Sequence, residues 1–464
     1  MSDQPSPRPV PQRAFARNLR MGGVAGGILG ASLGNAASAL LRGQRPDLAK
    51  AALTPANALR LAGGLAHLRG AAMKLGQMLS LENGFALPPE LTAILGQLQA
   101  NAPAMPPQQL KAVLTGEWGA GWHRQLQRFE VRPIAAASIG QVHRAWDKDG
   151  RALAIKVQFP GIAESIDSDI ATLGRLLRLP GLLPKGLDIS PLLAEARAQL
   201  HDEADYTREA RALAAFGQAL AGESAFHVPA LYPDFSTKRI LAMEFVESAP
   251  IDSAAHAPQA QRNQIASALI TLVLREIFDL GQMQTDPNFA NYRLAPDGRI
   301  VLLDFGATRP IAQDIAARYR ALLRAFLARD EGAIWGKMTD LGYFTSDQPQ
   351  ARQALIVALA LRASAPLRQL APYDFARSTL IADLAQAGQE LGAARDFWHV
   401  PPADLLFLHR KIGGMFLLAQ RLGAQIALPP LLAGFAEEGQ GGATPRNAEL
   451  THDQHLRPCA ESRP

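Results

Sequence analysis

Two carboxylates and one carboxamide stand at short spacing in the second half of the chain. Asp286 lies five residues before Asn291, and Asp304 follows thirteen residues later in the run Asp304-Phe305-Gly306. Carboxylate and amide oxygens are the protein ligands of Mg²⁺ where the ion also binds substrate phosphates. We therefore predict Asn291 and Asp304 as metal ligands. Asp286 is predicted to orient or deprotonate an attacking hydroxyl group or water.

A lysine upstream of these residues stands in a short strand-like run, Leu153-Ala154-Ile155-Lys156-Val157. A strand lysine can hold the α and β phosphates of a nucleotide when a helix glutamate fixes its ammonium group. The helix predicted over 191–216 offers acidic candidates, namely Glu195, Glu203, Asp205 and Glu209. A solvated acidic face is the alternative interpretation, and we adopt it for Glu195. For Glu209 we predict an ion pair with Lys156, which makes Lys156, Glu209 and Asp286 the predicted catalytic set.

The order of these motifs is more specific than any one of them. A strand lysine, an Asp followed after four residues by an Asn, and an Asp-Phe-Gly run succeed each other in this way in protein kinases. The pattern predicts an α+β protein with a protein-kinase-like two-lobe fold and a helical N-terminal extension. ATP and Mg²⁺ are the predicted ligands.

Two parts expected of a protein kinase are missing from the sequence. Where a Gly-x-Gly-x-x-Gly loop would cover the phosphates, the chain has Ala135, Ala136, Ala137 and Ser138. Alanine does not readily adopt the positive φ angles that glycine permits, so we predict a stiffer loop that binds the nucleotide differently. No Ala-Pro-Glu run follows Asp304, which argues against a docking platform for protein substrates.

Composition shifts and turn signals divide the chain into five predicted segments. Strand-like runs surround the hairpin signal at 147–150, and further strands are predicted at 239–246 and, directly before Asp304, at 299–303. The segments are 1–50, a polar arm with a Gly-rich stretch; 51–126, a helical extension with Pro-rich breaks; 127–246, a small lobe with inserted helices; 247–437, a mostly helical large lobe; and 438–464, a disordered tail.

Charge and cysteine content exclude several classes of protein. The 464 residues carry a formal net charge of +5, which suits contact with phosphates or an anionic membrane but is too small to indicate nucleic acid. The one cysteine, Cys459, excludes an intrachain disulfide and a zinc site built on paired thiolates. For His143, which follows the alanine-rich loop, we expect local packing rather than chemistry.

A stretch from Met21 to Leu41 carries no charge over 21 residues. Its length matches a membrane span, but glycine, alanine and Asn35 weaken its hydrophobicity. Three interpretations remain open: a helix in or on the membrane, a Gly-rich soluble helix or arm packed on the protein, and a cleaved signal peptide. Glycines at four-residue spacing, at 22, 26 and 30, would also permit close helix approach in a homodimer.

Four motifs together resemble the UbiB-type family of AarF-domain proteins, which are atypical kinase-like proteins. The motifs are Lys74-Leu75-Gly76-Gln77, the alanines at 135–137, the Glu-x-Asp pair of Glu203 and Asp205, and Gln284-Thr285-Asp286-Pro287-Asn288. The resemblance covers residues 51–435. Within the family it points to the branch tied to ubiquinone biosynthesis in mitochondria and related bacteria.

The resemblance implies roles that spacing alone does not give. Lys74 and Gln77 would lie over the nucleotide pocket, on a segment that Glu203 and Asp205 hold to the small lobe. Read alone, Lys74 and Gln77 are also consistent with the solvated face of an amphipathic helix. Nucleotide contacts would come from the loop at 135–138, from Lys156, and from a hinge that includes Glu244 and Val246.

The family also implies an activity and a setting. A lipid-stimulated ATPase that supports ubiquinone biosynthesis is expected, acting as a peripheral membrane protein or on the cytoplasmic face of a bacterial inner membrane, and not secreted. Expected partners are ATP, an isoprenoid lipid or quinone precursor, the membrane surface and other enzymes of ubiquinone biosynthesis. Two alternatives stay open: a true kinase of a protein or small molecule, and a nucleotide-gated scaffold or lipid-handling protein.

Overall fold

The computed structural model describes Gly70, Ala71, Lys74 and residues 104–178, 189–344, 348–393 and 402–437. The predicted arm and Gly-rich stretch at 1–50, Gln77 and the predicted tail at 438–464 lie outside the described residues. None of the helices in the described part of the chain is long and apolar enough to cross a bilayer.

Helices supply most of the described structure, and Gly70, Ala71 and Lys74 are also helical. In chain order the helices are α1 (Pro107–Trp118), α2 (Ile162–Leu177), α3 (Ser190–Glu203), α4 (Tyr206–Ala219), α5 (Gln259–Phe278), α6 (Gln313–Ala328), α7 (Glu331–Asp340), α8 (Gln350–Ala363), α9 (Leu380–Ala393), α10 (Ala403–Arg421) and α11 (Leu428–Ala436).

The strands are short and concentrate in the first two-thirds of the described chain. They are β1 (Leu126–Phe129), β2 (Ala135–Ala136), β3 (Gly140–Asp147), β4 (Ala152–Gln158), β5 (Phe226–His227), β6 (Ile240–Glu244), β7 (Ala249–Pro250), β8 (Gln282–Gln284), β9 (Tyr292–Leu294), β10 (Ile300–Leu302), β11 (Thr308–Pro310), β12 (Tyr373–Asp374) and β13 (Gln425–Ile426).

The first lobe is an antiparallel sheet in the order β1-β3-β4-β6, with β2 paired to β3. Strand β4 lies in the middle and is buried along most of its length, which its apolar sequence permits. The predicted hairpin at 147–150 joins β3 to β4, with Gly150 at φ +80° and the Asp147 carboxylate accepting from the Arg151 amide at 2.8 Å. Helices α1, α2 and α3 pack on this sheet around one hydrophobic core.

The helix that carries Lys74 packs on the same core. Ala71 is buried within it, and a Cβ atom built on Gly70 would lie 3.1 Å from the side chain of Ile139. An alanine at position 70 would therefore require the Ile139 side chain to shift by a few tenths of an ångström.

A second core belongs to the larger lobe. Helices α5 and α10 pack together there, beside the sheet β5-β10-β9-β7 and the β8–β11 pair. A smaller cluster joins α6, α7 and α8 through Leu322, Ile334 and Val357. The α+β two-lobe architecture with helices ahead of the first sheet confirms the predicted fold class.

One predicted helix was wrong in its length. The single helix predicted over 191–216 is two helices, α3 and α4, because the backbone leaves the helical path at Asp205, where φ is −115° and ψ is 93°. The Asp205 side chain caps α4 by accepting from the Thr207 amide at 3.0 Å.

The region 247–437 is mostly helical, as predicted, and the strand predicted at 299–303 is β10. The short strands β8, β9 and β11, which flank the loops that carry Asp286 and Asp304, were not predicted, and neither were β12 and β13.

His143 packs locally, as expected from the sequence. Its side chain is buried and stacked on Phe129. The ring nitrogen Nδ1 lies 2.8 Å from the Glu130 carbonyl, to which it donates, and Nε2 accepts from the Gln141 amide at 2.8 Å. Gln141 is itself oriented by accepting from the Met105 amide at 2.8 Å. These partners fit only the neutral ring, because a protonated Nε2 would face a donor.

The pH dependence of stability should reveal this neutral histidine. Burial lowers the pKa of His143 to about 4 from 6.5, against an opposing hydrogen bond to Glu130. The unfolded chain binds the extra proton first, so the free energy of unfolding should fall by about 3 kcal/mol as the pH drops from 6.5 towards 4.

Urea unfolding of the wild type and of His143→Gln at pH 7.5 and pH 4.5 measures this difference, with the exposed His256→Gln as control. His143→Gln should lose less stability on acidification than either of the others. A parallel loss in all three proteins would mean that His143 is not the titrating group.

Candidate active site

The strand lysine and the helix glutamate meet in the cleft between the lobes. Lys156 on β4 donates to both carboxylate oxygens of Glu209 on α4, at 2.8 and 2.9 Å, and both side chains are buried. Burial alone would lower the pKa of Lys156, but the negative charges of Asp304 and Glu209 outweigh it and hold the pKa well above its usual value. Position 156 therefore presents a fixed positive charge.

Asp304 follows β10 and faces this lysine from the other lobe. Its Oδ1 atom lies 3.5 Å from the Lys156 ammonium and accepts from the Gly306 amide at 3.2 Å. Asp304 has φ +60°, a left-handed conformation that aspartate tolerates better than most residues. Partial loss of hydration in the cleft opposes ionisation of this half-exposed carboxylate, yet the charge of Lys156 and the Gly306 amide hold the pKa of Asp304 below its usual range.

Phe305 fixes the segment that carries Asp304. Its ring is buried and lies 5.0 Å from that of Phe216, which is on the same helix as Glu209. Gly306 fits tightly, because a Cβ there would stand 3.3 Å from both Asp304 Oδ1 and Glu209 Oε2. The helix of Glu209 and the Asp-Phe-Gly run are thus packed against each other, as the corresponding parts are in kinase-like folds.

Asp286 and Asn291 occupy the loop between β8 and β9. The side-chain Nδ2 of Asn291 donates to Asp286 Oδ2 at 3.3 Å. The backbone carbonyl of Asn291 accepts from the backbone amide of Leu303, the residue before Asp304, at 2.8 Å. Thr285 donates through its amide and its hydroxyl group to the Ala307 carbonyl, at 3.1 and 2.8 Å. The structure therefore brings Asp286, Asn291 and Asp304 to one side of the cleft.

Helix α10 contributes residues that the sequence reasoning missed. Arg410 donates to Asp286 Oδ1 at 3.1 Å. The fully buried Lys411 donates to the Gln284 carbonyl at 2.8 Å and to the Tyr292 hydroxyl at 2.9 Å, and its ammonium lies 3.1 Å from Glu276 Oε2. Two adjacent basic residues within an apolar helix, followed by Gly413-Gly414, are the signal that could have drawn attention to them.

The predicted nucleotide loop is a narrow turn on the first sheet. Ala135 and Ala136 form β2 and are exposed, and the Ala137 amide donates to the Gly140 carbonyl at 2.9 Å. Ser138 donates to Glu203 Oε2 at 2.7 Å, which anchors the turn to α3.

The predicted hinge follows β6. The Glu244 side chain accepts from the Ala230 amide at 3.2 Å and lies 3.0 Å from His227 Nε2, while the Val246 carbonyl accepts from the Ser248 hydroxyl at 3.1 Å. The Phe245 amide donates to the Ala152 carbonyl at 2.9 Å, which continues the pairing of β6 with β4. These contacts hold the chain in an extended path at the edge of the cleft.

Of Lys74, Gln77, Glu203 and Asp205, which the resemblance assigns to the segment over the nucleotide pocket and to its attachment, the structure brings two into contact. Lys74 is buried and its ammonium lies 2.5 Å from Glu203 Oε1. Asp205 does not share this contact, because its carboxylate caps α4. The described structure thus places one acid of the Glu-x-Asp pair against the Lys74 helix, and Gln77 lies outside it.

Ligand chemistry at the cleft fits a magnesium nucleotide. No group of three or more His, Cys, Asp or Glu side chains able to bind a metal exists among the described residues. Mg²⁺ does not need one, since it usually takes one or two protein oxygens and completes its shell with phosphates and water. The half-exposed Asp304 carboxylate beside the fixed charge of Lys156 suits such a shared site.

These contacts define a class of protein: a kinase-like, ATP-binding fold with an atypical nucleotide loop. A family model for the ABC1 atypical kinase-like domain matches residues 97–337. The chain belongs to this family, which confirms the resemblance read from the motifs.

Two relatives illustrate how far the similarity extends. The mitochondrial atypical kinase COQ8 of Saccharomyces cerevisiae is 37% identical over 422 residues, which cover 90% of this chain and 83% of the relative. The mitochondrial atypical kinase COQ8B of Rattus norvegicus is 36% identical over 432 residues, which cover 92% and 81%.

One solved structure supports the same fold. The Mycobacterium tuberculosis protein Rv3197, determined as a complex with erythromycin, superposes with a TM-score of 0.57 at 26% sequence identity. The match covers 82% of this chain and 97% of that protein.

Gly414 of α10 should be essential for the position of the Asp286 loop. A Cβ built on Gly414 would lie 2.2 Å from Pro287 Cβ, whereas no described atom lies within 4 Å of a Cβ built on Gly413. Gly414→Ala should displace Pro287 and Asp286 and lower ATP turnover about 100-fold. Gly413→Ala should keep turnover and gain up to about 1 kcal/mol of stability. Equal turnover in the two variants would show that the loop position is not critical.

Lys411 and Glu276 should be coupled in stability. Lys411→Met leaves the Glu276 carboxylate buried without its partner, so we expect a loss of about 3–5 kcal/mol in the free energy of unfolding. The double variant Lys411→Met, Glu276→Gln should recover a large part of that loss. Lys337→Met, which breaks the exposed pair with Asp340, should change it by less than about 1 kcal/mol. Additive losses in the denaturant-unfolding cycle would contradict the coupling.

Proposed function

We propose that this chain binds Mg-ATP between its lobes and hydrolyses it slowly, close to a membrane, in support of ubiquinone biosynthesis. The observation that carries the proposal is the contact of Lys156 with both Glu209 and Asp304, at 2.8 and 3.5 Å. Nucleotide binding and phosphoryl transfer in kinase-like proteins depend on this lysine–glutamate pair and on the carboxylate opposite it.

The residues have separate roles in this proposal. Lys156 binds the α and β phosphates, with Glu209 fixing its ammonium group. Asn291 and Asp304 hold Mg²⁺, which when bound would neutralise charge on the phosphate oxygens. Asp286 orients the attacking water, and its own carboxylate is fixed by Arg410 on Oδ1 and Asn291 on Oδ2.

Hydrolysis is favoured over transfer to a protein substrate by the contacts of Glu203. Its carboxylate accepts from Lys74 through Oε1 and from Ser138 through Oε2. The helix of Lys74 is thereby held to the nucleotide loop, on the side where the resemblance places the family's blocking segment, to which we assign Gln77 as well. The sequence also lacks the Ala-Pro-Glu run of protein kinases.

The biological setting of the proposal follows from the resemblance and from the relatives. COQ8 and COQ8B are named as mitochondrial atypical kinases. We propose peripheral membrane association and an isoprenoid lipid or quinone precursor as the stimulating ligand. The net charge of +5 is consistent with an anionic membrane surface.

Asp304→Asn and Asp286→Asn separate binding from hydrolysis. In a calorimeter, Asp304→Asn should weaken Mg-ATP binding by at least about tenfold, because a charged metal ligand is lost. Asp286→Asn should bind nucleotide like the wild type and lose about 100-fold or more in turnover. Asp297→Asn is the matched control, since Asp297 lies in the exposed turn between β9 and β10 and pairs only with its neighbour Arg299 among the described residues.

The same variants test the biological role in a strain without the native gene. Ubiquinone should return with the wild type and with Asp297→Asn, but not with Asp304→Asn or Asp286→Asn. Rescue by Asp286→Asn would show that hydrolysis is not required and would favour the role of a nucleotide-gated scaffold. Transfer of labelled γ-phosphate to a defined acceptor would show that the protein is a kinase. Unchanged Mg-ATP binding by Asp304→Asn would contradict the assignment of Asp304 to the metal site.

A further inference from the structure

Helix α3 carries a row of polar side chains along one face. Glu195, Gln199 and Glu203 are spaced by four residues, which places them one above another on a helix. Gln199 Nε2 donates to Glu195 Oε1 at 3.0 Å, so the row is continuous at that end. The prediction that Glu195 belongs to a solvated acidic face is wrong, because its carboxylate accepts from Gln199 and pairs with Arg309.

The other side of α3 is fixed to the first lobe. Leu193, Ala196 and Leu200 are buried in the first core, and α3 packs along α2. The contact with α2 is close, since a Cβ on Gly174 would lie 2.8 Å from Leu193. Helix α3 therefore moves with the first lobe as one unit.

The last residue of the row reaches the nucleotide loop. Glu203 accepts from Ser138 at 2.7 Å, and Lys74 lies 2.5 Å away on its other oxygen. Any displacement of α3 is therefore passed directly to Ser138 in the predicted nucleotide loop.

The first residue of the row reaches the other lobe. Glu195 forms an ion pair with Arg309 of β11, and both side chains are 27% exposed, so the pair is largely shielded from water. Arg309 also lies over the Phe407 ring of α10, with its guanidinium carbon 4.1 Å from the ring centre. Strand β11 begins four residues after Asp304 and pairs with β8, which leads into Asp286.

We propose that Glu195 and Arg309 are positioning residues that hold the two lobes together around bound nucleotide. One helix then connects the nucleotide loop, through Glu203, with the strand that follows Asp304. Nucleotide can leave only when the lobes separate, so the Glu195–Arg309 ion pair slows the release of ADP. This inference rests on the proposed binding of Mg-ATP.

The kinetics of ADP release provide the test. The measurement is stopped-flow dissociation of a fluorescent ADP analogue, with kcat and KM for ATP determined on the same full-length variants. Glu195→Gln should release ADP about fivefold or more faster, which corresponds to the lower range of coupling energies between sites. KM for ATP should rise while single-turnover hydrolysis changes less than twofold.

A matched control lies on the same helix. Arg197 pairs with Asp167 of α2 at 2.6 Å, a contact that stays within the first lobe. Arg197→Gln should release ADP at the wild-type rate. The charge swap Glu195→Arg, Arg309→Glu should restore slow release to within about twofold, because it rebuilds the pair with opposite polarity.

Equal release rates for Glu195→Gln and Arg197→Gln would overturn the inference. A wild-type protein that binds no nucleotide would instead overturn the proposed function. In that case amide hydrogen exchange, measured in the absence of nucleotide, tests whether the Glu195–Arg309 ion pair connects the lobes. Glu195→Gln should raise amide exchange in both α3 and β11, and unchanged exchange in β11 would exclude a connection between the lobes.

Discussion

The buried ammonium group of Lys156 constrains most of the candidate site. A charged side chain is excluded from a protein interior unless opposite charges and hydrogen bonds compensate for its lost hydration. Both carboxylate oxygens of Glu209 accept from the Lys156 ammonium group, and Asp304 Oδ1 lies 3.5 Å from it. Because these three residues come from β4, α4 and the loop after β10, the requirement of neutralising Lys156 brings the Asp304 loop of the larger lobe against the first lobe.

A second buried lysine has the corresponding role in the larger lobe. Lys411 is fully buried and joins α5, β8 and β9 through Glu276, Gln284 and Tyr292. Strand β8 and strand β9 are the two ends of the loop that carries Asp286 and Asn291. Each lobe therefore supports its part of the site with one buried lysine whose charge is neutralised by its partners. Such ion pairs restrict the geometry of the site even where their net contribution to stability is small.

The site residues that could be predicted are those that belong to short motifs with a recurrent order along the chain. Lys156, Glu209, Asp286, Asn291 and Asp304 could be named because the motif spacing is typical of kinase-like folds. Arg410 and Lys411 were missed, because their partners lie more than 120 residues away, and two adjacent basic residues in an apolar helix do not identify what they contact. The Asp205 cap was readable in principle, since an aspartate before Tyr206-Thr207 is a common start of a helix, but the acidic periodicity favoured one long helix.

Glu195 shows a different limit of sequence reasoning. Helical periodicity tells which face of a helix is polar, but it does not tell whether water or another lobe covers that face. Here the polar row of α3 spans from Arg309 to Lys74: Glu195 and Glu203 at its ends accept from these cations, and Gln199 between them donates to Glu195. Whether the polar face of α3 meets water or another lobe depends on how the two lobes are arranged.

The same polar row explains how a loop without glycines can still serve a nucleotide site. A glycine-rich loop closes over phosphates by its own flexibility. Here Ala135, Ala136 and Ala137 lack the conformational freedom of glycine, and Gly140 is required at the end of the turn because a Cβ there would lie 2.4 Å from the Val157 carbonyl oxygen. Ser138 is bound to Glu203, so the position of the loop depends on α3. Control of nucleotide access therefore passes from the loop to the helix, and through Arg309 to the lobe that carries Asp304.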